Sequence, residues 1–181
     1  MDLIQQLDGN ILLWIQNYIR RDFLNPIILF ITNLGDAGWF WIFVLAVMLI
    51  FTKYRKIGLT GFAALLIGFF ITNLCLKNMV ARIRPYEVIE GLELIGKRAN
   101  DFSFPSGHST CSMAASIVLF AKMPKKIGVP ALILGILICF SRLYIGIHYP
   151  TDVIVGMCVG IIAALLAMYL IKQEKTDTLS I

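Results

Sequence analysis

The chain has 181 residues, of which 59% are hydrophobic and only 15% are charged. A water-soluble globular domain carries roughly 25% charged residues, so this composition excludes a soluble domain and a disordered chain, and it argues against a nucleic-acid-binding protein. The formal net charge of +5 fits a membrane protein whose Lys and Arg residues lie in its cytoplasmic loops. The sequence therefore predicts an integral membrane protein with several helical spans.

The first segment is predicted to form an amphipathic helix. Apolar residues recur at helical spacing from Ile4 to Tyr18 with polar residues between them, which is typical of a helix that lies in the membrane interface. The apolar run of residues 23–34 contains Pro26 and is too short for a comfortable span. It is left open whether this run is re-entrant, interfacial or the end of a tilted helix. Residues 1–34 are thus predicted to form an N-terminal segment that consists of an amphipathic helix and a short apolar run.

Five stronger apolar segments follow, and each approaches the ~20 residues that a helix needs to cross the hydrocarbon core. They are Ala37–Thr52, Ile57–Leu76, Pro105–Ala121, Ile127–Ile145 and Asp152–Ile171. Trp39 and Trp41 are expected to anchor the first of them at the membrane surface. We predict an all-α helical bundle with five spans, or six if residues 23–34 also cross. It forms a single domain, with residues 37–171 as the transmembrane core and residues 172–181 as a cytoplasmic tail.

The distribution of basic residues predicts the orientation. One set of connections holds Lys53, Arg55, Lys56, Lys122, Lys125, Lys126, Lys172 and Lys175. The other holds Arg20, Arg21, Arg82, Lys97 and Arg98. The positive-inside rule places the larger set in the cytoplasm. We therefore predict a multi-pass protein of the cell membrane, with residues 77–104 and the turn at residues 143–151 on the extracytoplasmic face.

The first of three polar clusters lies at the end of the second apolar segment, from Lys77 to Pro85. Lys77 and Arg84 are seven residues apart, which is two helical turns, so both side chains are expected to point the same way. Taken alone, the cluster is also explained as the basic flank of a membrane span.

The second cluster, Phe104-Pro105-Ser106-Gly107-His108, opens the third apolar segment. Pro105 suits the first position of a helix, which would place Ser106, Gly107 and His108 in the first turn. Free backbone N–H groups in that turn can bind an anion, which the Ser106 hydroxyl and the small Gly107 would favour. A capped helix start with an incidental histidine explains the same residues.

The third cluster lies between the last two apolar segments. Arg142 interrupts an apolar stretch, which is costly without an anionic partner. Gly146 and Pro150 break the helix and allow His148 to turn back toward the bundle. Asp152 then falls in the first turn of the last helix, within reach of the imidazole, where a carboxylate would fix the tautomer and stabilise the imidazolium. The alternative is a loop histidine and a helix-terminal charge without a joint task.

Because successive spans alternate in direction, the three clusters are expected to meet at one membrane face. Three cations, a helix N-terminus and a His–Asp pair suit a phosphoryl group, whose oxygens the cations neutralise. In order, spacing and residue type, the clusters together resemble the three-part signature of the type 2 phosphatidic acid phosphatase superfamily. The resemblance extends from Lys77 to Asp152, whereas the 76 residues before it indicate little beyond topology.

The resemblance implies a metal-independent phosphatase that works through a phosphohistidine. His148 would attack phosphorus, Asp152 would orient it, and His108 would protonate the leaving oxygen and then activate water. The phosphate-binding residues that the resemblance implies are Lys77, Arg84, Ser106, Gly107 and Arg142. No cofactor or metal is implied, and the acidic residues near the site are not spaced as a cage for a hard metal ion.

The soluble vanadium-dependent haloperoxidases share this signature, but the apolar spans exclude that branch. Their chemistry suggests that vanadate mimics the transition state of phosphoryl transfer and inhibits the phosphatase.

A site at the boundary of acyl chains and water favours a lipid phosphate as the substrate. The loop at residues 86–104 is compact, and a site that faces outward favours undecaprenyl diphosphate. The alternatives are phosphatidylglycerophosphate and phosphatidic acid. The expected partners are this substrate and membrane lipids, with no nucleic acid, and the oligomeric state is left open.

Two hypotheses from other classes remain. A phospholipid-binding or transport protein could use the same cations to hold a phosphate without turning it over, but it would not need the His148–Asp152 pair. A small structural membrane protein would not explain why the polar groups within the spans gather at one face.

Overall fold

The computed structural model describes residues 3–171, and within them it contains helices and no strands. The α-helices are α1 (Leu3–Trp14), α2 (Asn25–Leu34), α3 (Trp39–Ile50), α4 (Arg55–Phe69), α5 (Lys77–Val80), α6 (Pro85–Val88), α7 (Gly107–Lys122), α8 (Lys125–Tyr144) and α9 (Pro150–Leu170). Two π-helical segments, Ile15–Ile19 and Phe70–Leu76, continue α1 and α4. The predicted all-α class is confirmed. The predicted tail at residues 172–181 lies outside the described residues.

Three helical stretches within residues 3–171 are long and apolar enough to cross a membrane, namely Arg55–Val88, Lys125–Tyr144 and Pro150–Leu170. A fourth exists if Asp22–Leu34 and Asp36–Ile50, which meet at 46°, form one broken span. Residues 23–34 thus belong to the first arm of this bent pair. Helix α7, at 16 residues, falls short of an ordinary span. The predicted count of five or six spans is therefore not confirmed.

Helix α7 lies at the centre of the bundle, where it packs against α4, α8 and α9. Its core contacts include Ala114 and Val118, which are fully buried together with Ala163 and Ala164 of α9. Gly160 allows the closest approach, because a Cβ atom there would lie 2.5 Å from the carbonyl oxygen of Thr110. Small residues therefore set the spacing between α7 and α9.

Helix α1 has one exposed apolar face and one buried face. Leu7 and Ile11 are exposed, as expected for a helix at the membrane interface. The opposite face carries Leu12, which is fully buried against Leu92 and Tyr149. This helix is therefore held on the bundle by its buried face, with its apolar stripe turned outward.

The two tryptophans of α3 differ from each other. Trp39 is exposed, which suits an interfacial anchor. Trp41 is 1% exposed, and its indole Nε1 donates a hydrogen bond to Oγ of Ser112 at 3.1 Å. The predicted anchoring role was wrong for Trp41, because a buried hydroxyl on α7 satisfies its polar atom inside the bundle.

We predict that Gly160→Ala destabilises the protein by about 1–3 kcal/mol, the usual cost of overpacking. The added methyl group meets backbone of α7, which cannot move aside as a flexible side chain would. Thermal unfolding in detergent, followed by circular dichroism, measures the change. The control is Gly9→Ala, whose added methyl group makes an ordinary contact of 3.5 Å with Ile89. Equal melting temperatures for the two variants would contradict the prediction.

Candidate active site

Lys77 and Arg84 do not lie on one continuous helix. Helix α5 ends at Val80, Ala81 has a left-handed φ of 47°, and Arg84 is in extended conformation. The expectation that two helical turns separate the two side chains was therefore wrong. They converge all the same, because the break turns the chain back and both bind the carboxylate of Asp101.

Asp101 joins these two cations. Nζ of Lys77 and Nη2 of Arg84 each lie 2.5 Å from one of its oxygens. Partial burial raises the pKa of Asp101, but the hydrogen bonds from Lys77 and Arg84 outweigh this effect and lower that pKa to about 2. The carboxylate is therefore ionised at any ordinary assay pH. It supplies an anion where the sequence predicts phosphate binding.

A cavity of about 300 Å³ lies next to these cations. It is lined by six of the eight predicted site residues, which are Lys77, Arg84, Gly107, His108, Arg142 and His148. Both histidines of the chain thus face one space. Asn73 of the second π-helical segment also lines it, and its buried Oδ1 has no hydrogen-bond partner among residues 3–171. The expected convergence of the three clusters is present in the structure.

Ser106 and Pro105 take different positions from those expected at the start of α7. Ser106 is the N-cap with extended backbone, so Pro105 precedes the helix and Gly107 is its first residue. The correction arises because the Ser106 hydroxyl accepts a hydrogen bond from the backbone N–H of Ser109, as N-cap side chains do. Ser106 is fully buried and does not line the cavity. Its predicted binding of phosphate stays a prediction.

His148 and Asp152 form a buried pair. Nδ1 of His148 lies 3.5 Å from Oδ2 of Asp152. The same oxygen accepts hydrogen bonds from the backbone N–H of Tyr149, at 2.9 Å, and from the hydroxyl of Ser103. Nε2 of His148 lies on the other side of the ring, 3.4 Å from Nη1 of Arg84. In this arrangement Nδ1 of His148 faces Asp152, and Nε2 faces the cations that line the cavity.

Arg82 and Asp8 belong to the same network, although sequence reasoning assigned neither to the site. Nη1 of Arg82 donates to Oδ1 of Asp152 at 2.7 Å, and Nη2 donates to Oδ2 of Asp8 at 2.8 Å. The guanidinium also stacks 3.7 Å from the ring centroid of Tyr149. Arg82 thus joins α1 to the first turn of α9. The sequence feature that could have assigned Arg82 to the site is its position in the first cluster, between Lys77 and Arg84.

His108 has its own carboxylate partner, Asp36. Nε2 of His108 lies 2.8 Å from Oδ1 of Asp36, in the turn between α2 and α3. Gly35 makes this approach possible, because a Cβ atom there would lie 2.7 Å from Cδ2 of the His108 ring. Sequence reasoning missed Asp36; the signal was a single acidic residue flanked by Gly35 and Gly38 between two apolar runs.

Arg142 is 6% exposed and lies in the wall of the cavity. Its Nη1 donates to Oγ1 of Thr32 at 2.6 Å, whereas its buried Nε has no hydrogen-bond partner in the described part of the chain. Leaving a buried charged donor unsatisfied is costly. An anion in the cavity would relieve that cost.

The arrangement is suited to phosphoryl transfer by histidine. Cations surround one cavity, one imidazole presents a nitrogen to them, and each imidazole has a carboxylate partner that stabilises its protonated form. Among residues 3–171, no group of three or more His, Cys, Asp or Glu side chains is placed to hold a metal ion. Together, the bundle and the site define a helical membrane protein with a polar centre that contains two His–Asp pairs.

Comparison with known proteins identifies the family. Residues 57–176 match the model of the PAP2 superfamily. The undecaprenyl-diphosphatase of Sulfolobus acidocaldarius is 32% identical over 144 residues, which cover 80% of this chain and 69% of that protein. The undecaprenyl-diphosphatase BcrC of Bacillus subtilis is 35% identical over 147 residues, which cover 79% and 72%.

A solved structure shares the fold. The crystal structure of a transmembrane PAP2 type phosphatidylglycerolphosphate phosphatase from Bacillus subtilis superposes with a TM-score of 0.79 at 25% identity, and the match covers 98% of this chain and 90% of that one. The chain belongs to the PAP2 superfamily. The resemblance that the three clusters indicated is therefore confirmed.

We predict that Asp101→Asn binds inorganic phosphate about fivefold more tightly, because a charge that repels phosphate and competes for Lys77 and Arg84 is removed. Competitive inhibition of turnover by phosphate measures this affinity. Glu90→Gln, an exposed carboxylate on the same loop, is the control and should leave the inhibition constant unchanged. Weaker binding in Asp101→Asn would contradict the prediction and would mean that Asp101 holds the two cations in place for phosphate.

We predict that Asp36→Asn lowers kcat by up to about 100-fold on an alkyl phosphate, because the His108 imidazolium loses its carboxylate partner and general-acid catalysis weakens. The loss should shrink with p-nitrophenyl phosphate, whose leaving group needs little protonation. Steady-state kinetics with both substrates measure the difference. Asp22→Asn, an exposed carboxylate before α2, is the matched control. An equal loss on both substrates would argue against a role through His108.

Proposed function

We propose that this protein is a membrane lipid phosphatase that hydrolyses undecaprenyl diphosphate through a phosphohistidine on His148. The observation that carries the proposal is that both histidines line one cavity with Lys77, Arg84 and Arg142. Relatives that cover about four fifths of the chain and are named undecaprenyl-diphosphatase support the choice of substrate.

In the first step, Nε2 of His148 attacks the terminal phosphorus of the diphosphate. Asp152 accepts the hydrogen bond from Nδ1–H, which keeps the lone pair on Nε2 and stabilises the positive ring that forms. The P–N bond forms as the P–O bond to the bridging oxygen breaks. His108, paired with Asp36 through Nε2, donates its other ring proton to that oxygen, and the lipid monophosphate leaves.

In the second step, His108 is neutral and accepts a proton from water, whose oxygen attacks phosphorus. The P–N bond breaks, inorganic phosphate forms and both imidazoles return to their starting states. Lys77, Arg84, Arg142 and the N–H of Gly107 bind the three equatorial oxygens in both steps, where the developing charge is greatest. The net reaction consumes one water and releases one phosphate.

The site is proposed to face the extracytoplasmic side of the cell membrane. The basis is the excess of Lys and Arg where α3 meets α4 and where α7 meets α8, in the short connections and the adjoining helix ends, which the positive-inside rule places in the cytoplasm. The catalytic clusters lie at the other ends of those helices.

A second candidate substrate is phosphatidylglycerophosphate. It is favoured by the structural similarity to the phosphatidylglycerolphosphate phosphatase of Bacillus subtilis over nearly the whole chain. In this reaction the leaving group is a glycerol oxygen rather than a second phosphate, and the same residues would act on it.

We predict that His148→Ala lowers phosphate release from undecaprenyl diphosphate by at least about 1000-fold, as expected when a covalent nucleophile is removed. Rapid quenching with labelled substrate should trap an acid-labile phosphoenzyme in the wild type and none in the variant. Tyr169→Ala, which changes an exposed residue near the end of α9, is the control and should retain turnover. Turnover by His148→Ala at the wild-type rate would overturn the mechanism.

A further inference from the structure

A second cavity lies beside the one that faces the nucleophile. It measures about 580 Å³ and shares His108, Arg142 and Ala99 with the first cavity. His148 lines the first cavity but not the second. The shared His108 therefore stands between a space that contains the nucleophile and a space that does not.

The second cavity brings two further cations to His108. Lys97 and Arg98 line it together with Arg142. Among residues 3–171, neither Lys97 nor Arg98 forms an ion pair, whereas Lys77 and Arg84 are both paired with Asp101. Of the described residues that line it, Asp36 alone is acidic, and its carboxylate is hydrogen-bonded to His108. The cavity thus carries a surplus of positive charge.

The segment that carries Lys97 and Arg98 is held in place on both sides. The backbone N–H of Ile95 donates to the carbonyl oxygen of Ile145 at 3.0 Å. On the other side, the N–H and the carbonyl oxygen of Ala99 are both hydrogen-bonded to the Tyr86 hydroxyl, at 3.3 Å each. The two cations are therefore presented on a fixed stretch of loop.

The chemistry of the reaction explains what such a cavity would bind. In phosphoryl transfer, the leaving oxygen departs on the side opposite the nucleophile, and His108 protonates it. The atom beyond that oxygen is carbon in a monoester and a charged phosphorus in a diphosphate. Cations beyond His108 can therefore bind the second phosphate of a diphosphate. A monoester has no phosphate at that position for them to bind.

The remaining wall of the cavity suits the start of a lipid chain. It includes the apolar side chains of Leu29, Ile95, Ile145 and Ile147, with the polar Thr32 and Asn33 beside them. An apolar wall next to cations fits a phosphate that is joined to a hydrocarbon.

We propose that this second cavity binds the lipid-proximal phosphate of a lipid diphosphate, and that Lys97 and Arg98 make the site prefer a diphosphate to a monophosphate. The proposal rests on the proposed phosphatase function. It adds a subsite for the leaving phosphate and assigns two residues outside the three clusters to substrate selection.

The test compares two substrates that share one lipid chain, farnesyl diphosphate and farnesyl monophosphate. We expect the double variant Lys97→Gln/Arg98→Gln to lose about tenfold or more in kcat/KM on the diphosphate, the effect of one lost charge-assisted contact. It should lose less than about twofold on the monophosphate, which has no second phosphate for these two cations to bind. The difference should shrink at high salt, because both residues are exposed to solvent and exposed charges are screened by ions.

Two controls make the outcome decisive. Lys125→Gln/Lys126→Gln removes two neighbouring charges at the opposite end of α8 and should change neither value. Vanadate inhibition should be unchanged in the Lys97 and Arg98 variant, which reports an intact first cavity. An equal loss on both substrates, or no loss on the diphosphate, would overturn the subsite. Wild-type protein that hydrolyses neither substrate would instead overturn the proposed function.

Discussion

The site depends on one buried carboxylate. Asp152 is completely shielded from solvent, and an unpaired charge in such a place would be very costly. Its two oxygens are satisfied by Arg82, the Ser103 hydroxyl, the Tyr149 N–H and His148. These partners come from separate parts of the chain, so satisfying one charge fixes the position of the imidazole and of the loops around it.

The other charged groups of the site are paired in a similar way. Asp101 forms ion pairs with both Lys77 and Arg84, and Asp36 is paired with His108. Within the part of the chain that the structure describes, Nε of Arg142 has no hydrogen-bond partner. Under the proposed mechanism, an entering phosphate replaces the Asp101 carboxylate on Lys77 and Arg84 and completes the hydrogen bonding of Arg142. In this scheme Lys77 and Arg84 have an anionic partner both before and after substrate binds, so the free-energy cost of unpaired charge stays low.

Sequence reasoning found the residues whose spacing has a local cause. His148 and Asp152 are four residues apart at the start of α9, and Gly107 follows an N-cap, so these positions are readable from the chain itself. Asp36 and Asp8 were missed because their partners are 72 and 74 residues away, and no local pattern encodes such a contact. Lys77 and Arg84 were grouped correctly for a wrong reason, since a left-handed residue at position 81 separates them. Trp41 was misjudged because the sequence alone does not distinguish two environments for a tryptophan in an apolar run. Its indole N–H can donate a hydrogen bond at the membrane surface or to a buried hydroxyl such as that of Ser112.

The bridge from Asp8 through Arg82 to Asp152 spans 144 positions of the chain. During synthesis, the first helix and the arginine emerge long before the carboxylate that completes the bridge. Closing so long a loop has an entropic cost that only the finished set of contacts offsets. The reactive centre is consequently among the last features to form, and a nascent chain that has reached the membrane with only its first helices inserted holds no competent phosphatase.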